Sequence, residues 1–254
     1  IIYKLQMLRK KLKGKDHMKL GIMQPYFFPC IGYFDLIFQT DQWIIFDTVQ
    51  YIRHGWVNRN RILHPQEGWQ YIIVPTQKHD QKITIKDVRI ANGEQWKNKL
   101  IAQLQHYKKK APFFTNVIEV IYDCLKYTDD SLNKLNVTCL EKICSYIGIR
   151  FNYSFFSEMN LDIGSVEKPG DWALRIAEAY KADEYINPPG GADLFNIADF
   201  ERAGIKLTIQ KPISYEYYTD GYEFQPNLSI IDVMMWNSPS DIQDYLISRN
   251  QEDG

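Results

Sequence analysis

Three short segments concentrate side chains able to hold a charged or hydroxylated ligand. In MQPYFFPCIGYF (23–34), Gln24, Tyr26 and Tyr33 offer amide and hydroxyl groups beside two prolines that stiffen the chain. In DTVQYIRHGWVNRNRI (47–62), Asp47 precedes Arg53 and His54, and Asn58, Arg59 and Arg61 follow. Arginine presents a rigid fork of donors suited to bidentate capture of phosphate or carboxylate. Asp47 and His54 are the candidate general bases beside it. In YINPPGGADLF (185–195), Asn187 precedes two prolines and is pushed toward extended backbone. Gly190 and Gly191 permit close backbone approach, and Asp193 can accept from sugar hydroxyls. Asp232, in LSIIDVMMW (228–236), is either another proton acceptor or a partner within its own helix.

Several chemistries lack their usual signatures. The four cysteines (30, 124, 139, 144) form no C-x-x-C pair and the five histidines no i,i+4 pair, so no metal site is expected. G-x-G-x-x-G, the phosphate loop and the nucleophile elbow are all absent, so no dinucleotide cofactor or other cofactor is expected. HYKKKAPFF (106–114) sets three lysines beside aromatics, a pattern that can bind nucleic acid. A lysine-rich helix end placed against the helix dipole is the simpler account.

The elements that must position these residues follow from periodicity. KLGIMQPYF (19–27) reads as a strand entering a loop, 31–40 carries apolar residues at helical spacing, and 43–52 is a near-continuous apolar run. Together they make a strand–helix–strand unit. Further strands are expected at 71–75, 83–90, 151–156 and 206–212, and 184–195 reads as a strand opening into a glycine-proline turn. The pattern from 94 to 148 is helical, with Asp130 or Ser131 as cap and Gly148 as stop. Helices are also expected at 171–182, capped by Asp171, at 198–205, and from 228 onward. Alternation of strands and helices predicts an α/β fold with a mainly parallel, Rossmann-like sheet and a helical insertion at 94–148. The strand ends in such a sheet are where ligands bind, which places the first two segments at the crevice.

The formal net charge of −1 conceals a segregation. Residues 1–17 carry six Lys or Arg and one acid, so 18–254 hold 24 basic against 30 acidic residues. The leader reads as an extension ahead of one domain starting at Met18. No run of about 18 apolar residues would span a membrane, and with isolated cysteines the expected location is the cytoplasm.

The string MQPYFFPCIGYFDLI, with NRNRI, VPTQK, HYKKKAPFF, YINPPGGADLF and LSIIDVMMW, resembles the WbqC-like protein family. That resemblance implies a bacterial protein of surface-polysaccharide (O-antigen-type) assembly. The expected substrate is a small molecule, a nucleotide-activated or amino sugar, receiving an acyl or aminoacyl group from a CoA thioester or an aminoacyl-tRNA. PYFFPCIGYFDLI also resembles the strand–loop–helix of nucleotidylyltransferases. Gly32 matches their glycine, while Cys30 and Tyr33 stand where they carry histidines. Neither offers a cation, so nucleotidyl transfer by their route is not implied. The other reading is a non-catalytic adaptor for polysaccharide enzymes, with Trp56 and Trp69 in an interface.

Overall fold

The computed structural model describes residues 17–91 and 93–251. Apart from His17, the basic leader lies outside the described residues.

Five parallel strands form the central sheet: β1 (Lys19–Met23), β2 (Gln42–Ile45), β5 (Tyr153–Phe155), β6 (Glu184–Asn187) and β7 (Lys206–Ile209). Their order is β5-β2-β1-β6-β7. The chain runs outward from β1 to β2 to β5, then returns to the other side of β1 for β6 and β7. This is the Rossmann-like order, and its direction reverses between β1 and β6. Neighbouring residues on each strand split between two cores, as a pleated strand with both faces covered requires. Leu20, Ile22, Ile44 and Tyr185 pack with α5 (Asp171–Tyr180) and α6 (Ile197–Arg202). Trp43, Ile45 and Ile186 pack on the other side with α1 (Ile31–Gln39) and the helical insertion.

That insertion holds α2 (Gln95–Leu104), α3 (Phe114–Leu125) and α4 (Leu132–Ile147). Ser131 caps α4 through its side chain, and the helix ends at Gly148. Cys124, Cys139 and Cys144 lie buried there as free thiols. Among the described residues no helix is long and apolar enough to cross a membrane, and no group of three side chains could hold a metal ion.

The structure corrects four local expectations. Residues 83–90 are not a strand. Ile85–Asp87 form a 3-10 turn, with only single bridges from Thr84 to Gln50, from Arg89 to Ser131 and from Ile90 to Thr76. The Thr84 hydroxyl donates to Asp87 at 2.5 Å, a local bond that competes with strand pairing. The apolar run 43–52 is strand only to Ile45, because the chain turns away where Asp47 is drawn to α4. Asp171 is not the cap of α5 but lies in its first turn, where it accepts from the backbone N–H groups of Glu167 and Lys168. The final helix is two, α7 (Ile230–Trp236) and α8 (Pro239–Gln251), broken where Pro239 cannot continue the hydrogen-bond ladder.

One further unit was not legible as such. NRNRI is strand β3 (Arg59–Leu63), paired antiparallel with β4 (Trp69–Ile73). Arg59 and Arg61 share the outer face with Tyr71, Trp69 and Ile73, while Asn60 and Ile62 point into the protein beside Ile72.

Candidate functional site

The strand order reverses between β1 and β6, and in such sheets the usual ligand position is the crevice outside the carboxyl ends of the strands at that point. Residues 24–30 form one wall and lead into the N-terminus of α1. The 3-10 turn Pro189–Leu194 follows β6, the neighbouring strand, and stands as the other candidate wall. The ladder between the two strands pairs Leu20 with Tyr185 and Gly21 with Ile186, so both loops leave the sheet side by side.

The first loop is shaped by side chains that turn its carbonyls inward. The Tyr33 hydroxyl donates to Gln24 O at 2.9 Å. Asn136 of α4 donates to Pro25 O at 2.8 Å and to Val57 O at 2.7 Å. Asn60 donates to Phe27 O and Phe28 O at 3.1 and 2.9 Å, and the Ser229 hydroxyl to Phe28 O at 2.8 Å. The Ile230 N–H donates to Pro29 O. Phe28 is held at φ 42°, a left-handed conformation that such a net of bonds must enforce.

With its carbonyls engaged, the loop presents the Gln24 amide and the Tyr26 hydroxyl, neither of which is hydrogen-bonded among the described residues. Tyr33 is buried and serves as a strut, its ring 5.8 Å from that of Tyr26. Burial raises both phenols from their ordinary value, so they stay protonated donors. Burial also pushes the Cys30 thiol up, against the nearby N–H groups of Gly32 and Tyr33 and the charge of Arg61. The thiol is therefore neutral near pH 7 and is not an activated nucleophile.

Arg61 is the cation that reaches this loop. Its carbonyl accepts from the Ser229 N–H, one residue before the contact to Pro29, and its guanidinium donates to Asn227 O at 3.3 Å. The same guanidinium lies over the rings of Trp69 and Trp56 at 5.0 and 5.5 Å. Arg59 lies 4.2 Å over Tyr71 and donates to the carbonyl of His54. Neither arginine has a carboxylate partner among the described residues, so both retain donors for an anion. Beside α1's first turn, whose N–H groups and dipole favour negative charge, Arg61 adds a cation whose field reaches Cys30.

The other candidate residues divide. Asn187 is buried between Tyr185, whose hydroxyl donates to it at 2.7 Å, and its own bond to Pro188 O. Gly191 packs against it so closely that a Cβ would stand 2.7 Å from Asn187 Nδ2. Gly190 and Asp193 are exposed at the rim of the same turn. Asn58 fastens the hairpin, donating to Val74 O at 3.0 Å. His54 sits at an exposed turn with φ 64°, where its carbonyl rather than its imidazole is engaged. Asp47 stands apart and fully buried. It accepts from Asn133 at 2.8 Å and from the Ser157 hydroxyl and N–H at 2.7 and 3.0 Å. With both oxygens engaged, it ties β2 to α4 and to the chain after β5. Asp232 is buried too, accepting from the hydroxyls of Tyr107 and Tyr217 at 2.5 and 2.6 Å.

Sequence reasoning overlooked Asn60 and Asn136. Both carried a signal: Asn60 is polar on the inward parity of a strand, and Asn136 is polar on the apolar face of a helix.

The profile of the WbqC-like protein family matches residues 24–244. The chain is 30% identical over 236 residues to the uncharacterized protein Rv1507c of Mycobacterium tuberculosis, covering 90% of this chain and 97% of that one. No solved structure matches it. With the match spanning both crevice loops, the arginine hairpin and the helical insertion, this chain belongs to the WbqC-like protein family.

Proposed function

We propose that this protein binds a nucleotide-activated sugar in the crevice between the β1 and β6 loops and transfers an acyl or aminoacyl group to it. The setting would be bacterial surface-polysaccharide assembly. One observation carries the reading: Arg61, without a carboxylate partner among the described residues, is fastened beside the loop where the strand order reverses. The diphosphate would lie between Arg61 and the start of α1, with Arg59 next along the strand. Gln24 and Tyr26 would meet the sugar or base from one wall, and Gly190, Gly191 and Asp193 from the other. Asp47, whose oxygens are saturated, would act through the scaffold rather than on substrate. The surface-polysaccharide setting rests on the family resemblance, and the acyl donor, a CoA thioester or an aminoacyl-tRNA, on a sequence that lacks metal and dinucleotide motifs.

A thermal-shift screen of the purified chain against nucleoside-diphosphate sugars, CoA thioesters and charged tRNA tests this. A ligand at a hundred times its Kd stabilises by about 2.7 kcal/mol, an upward shift of a few degrees for a chain of this size. No shift with any nucleoside-diphosphate sugar would reject the reading.

A further inference from the structure

The outer face of the β3–β4 hairpin exposes apolar side chains where a globular surface is usually polar. Ile52 is 55% exposed, Ile73 48%, Trp69 40% and Trp56 39%. Trp56 and Trp69 meet around the Arg61 guanidinium. Ile73 stands opposite Arg59 in the ladder. Ile52 and Gly55 close a tight turn through Gly55 N–H to Ile52 O at 3.0 Å, beside Trp56. A Cβ on Gly55 would stand 2.9 Å from that carbonyl, and His54 within the turn holds φ 64°. The turn that presents Ile52 and Arg53 is thus a constrained structure.

The patch is also cationic on an acidic body. From Thr48 to His79 the chain has four Lys or Arg and one acid, Glu67. Four arginines elsewhere are paired with carboxylates, Arg89 with Asp130, Arg175 with Glu178, Arg202 with Asp199 and Arg249 with Asp35, while Arg150 stands alone among the described residues on another part of the surface. Arg53, Arg59 and Arg61 have no such partner among the described residues.

We propose that this face docks on a bilayer surface carrying anionic phospholipids. Exposed isoleucines and tryptophan edges enter the acyl boundary, while Arg53, Arg59 and Arg61 meet lipid phosphates. A single-stranded nucleic acid fits less well. Base stacking needs open aromatic faces, and here guanidinium groups already lie over Tyr71, Trp69 and Trp56. A second copy docked face to face would bring the unpaired arginines against their own equivalents. The proposal shares Arg59 and Arg61 with the sugar-nucleotide reading, and its test therefore reads Ile52, Ile73 and Arg53, which that reading does not use.

The test is co-sedimentation of the full chain with phosphatidylglycerol–phosphatidylcholine vesicles and with pure phosphatidylcholine vesicles, alongside the variants I52S/I73S and R53Q. These variants leave the basic leader intact and change exposed positions only. The expected result is binding to the anionic vesicles alone. I52S/I73S should weaken it by about tenfold or more, and R53Q by roughly fivefold. Circular dichroism should remain that of the wild type. Absence of vesicle binding, or binding undiminished in I52S/I73S, would overturn the proposal. So would a dimer that disappears in I52S/I73S, or single-stranded RNA binding that displaces vesicles. Nucleoside-diphosphate-sugar binding in I52S/I73S reports separately on the crevice.

Discussion

The side-chain amide of Asn60 donates to the carbonyl of Phe28 at 2.9 Å, joining the arginine strand to the loop at the sheet's reversal point. Phe28 is in the left-handed region and Asn60 is flanked by Arg59 and Arg61, so this bond, with the one from Asn60 to Phe27 O, links the two halves of the candidate site. Replacing Asn60 with Ala leaves the buried carbonyls of Phe27 and Phe28 short of a donor. The expected cost is about 1–3 kcal/mol, read as a lower urea midpoint. Ligand affinity should fall in the same variant, because Arg61 loses its anchorage to the loop.

Asp47 separates a structural role from a catalytic one. Asp47→Ala removes the acceptor for Asn133 and Ser157 and should destabilise by about 2–4 kcal/mol. Asp47→Asn keeps the shape and should leave the affinity for a nucleoside-diphosphate sugar within about twofold. Loss of turnover in a stable, ligand-binding Asp47→Asn variant would restore Asp47 as a base.

Asp35 fastens the end of the chain. Buried in α1, it accepts from Gln39, Gln210, Arg249 and Asn250 at 2.7–3.1 Å. Asp35→Ala leaves the largely buried Arg249 without its counter-charge, at a cost of about 3–5 kcal/mol. Hydrogen exchange should show α8 losing protection before the sheet does.

Asp232 predicts a pH dependence. Burial raises its carboxyl from 3.8 to about 6, against the hydrogen bonds from Tyr107 and Tyr217. A raised acid holds its proton more tightly folded than unfolded, so stability is lost as pH rises from about 4 to about 6. Two units correspond to about 3 kcal/mol. Denaturation midpoints across that window should fall for the wild type, and Asp232→Asn should remove this part of the slope.

Much of this was legible in the sequence because its physics is local. The segments 19–27 and 43–52 with the helical spacing of 31–40 between them identify the β1–α1–β2 unit, though not where its strands end, and the Pro-Pro-Gly-Gly run identifies the turn after β6. What was not legible depends on distant partners. The NRNRI segment looks like a charged loop until the strand at 69–73 supplies its ladder. Asp47 looks like a base at a strand end until Asn133 and Ser157, 86 and 110 residues away, occupy its oxygens. Alternation at 83–90 reads as a strand, yet Ile85, Val88 and Ile90 are buried from a 3-10 turn and single bridges.

The most direct test of the crevice is calorimetric titration of the wild type and Arg61→Ala with the nucleoside-diphosphate sugar that stabilises the chain most. A charge-assisted hydrogen bond contributes about 1.5–3 kcal/mol. Binding of the wild type with a loss of roughly 10–100-fold in Arg61→Ala is therefore predicted. Equal affinity in the two proteins, each folded by circular dichroism, would contradict the placement of the diphosphate beside Arg61.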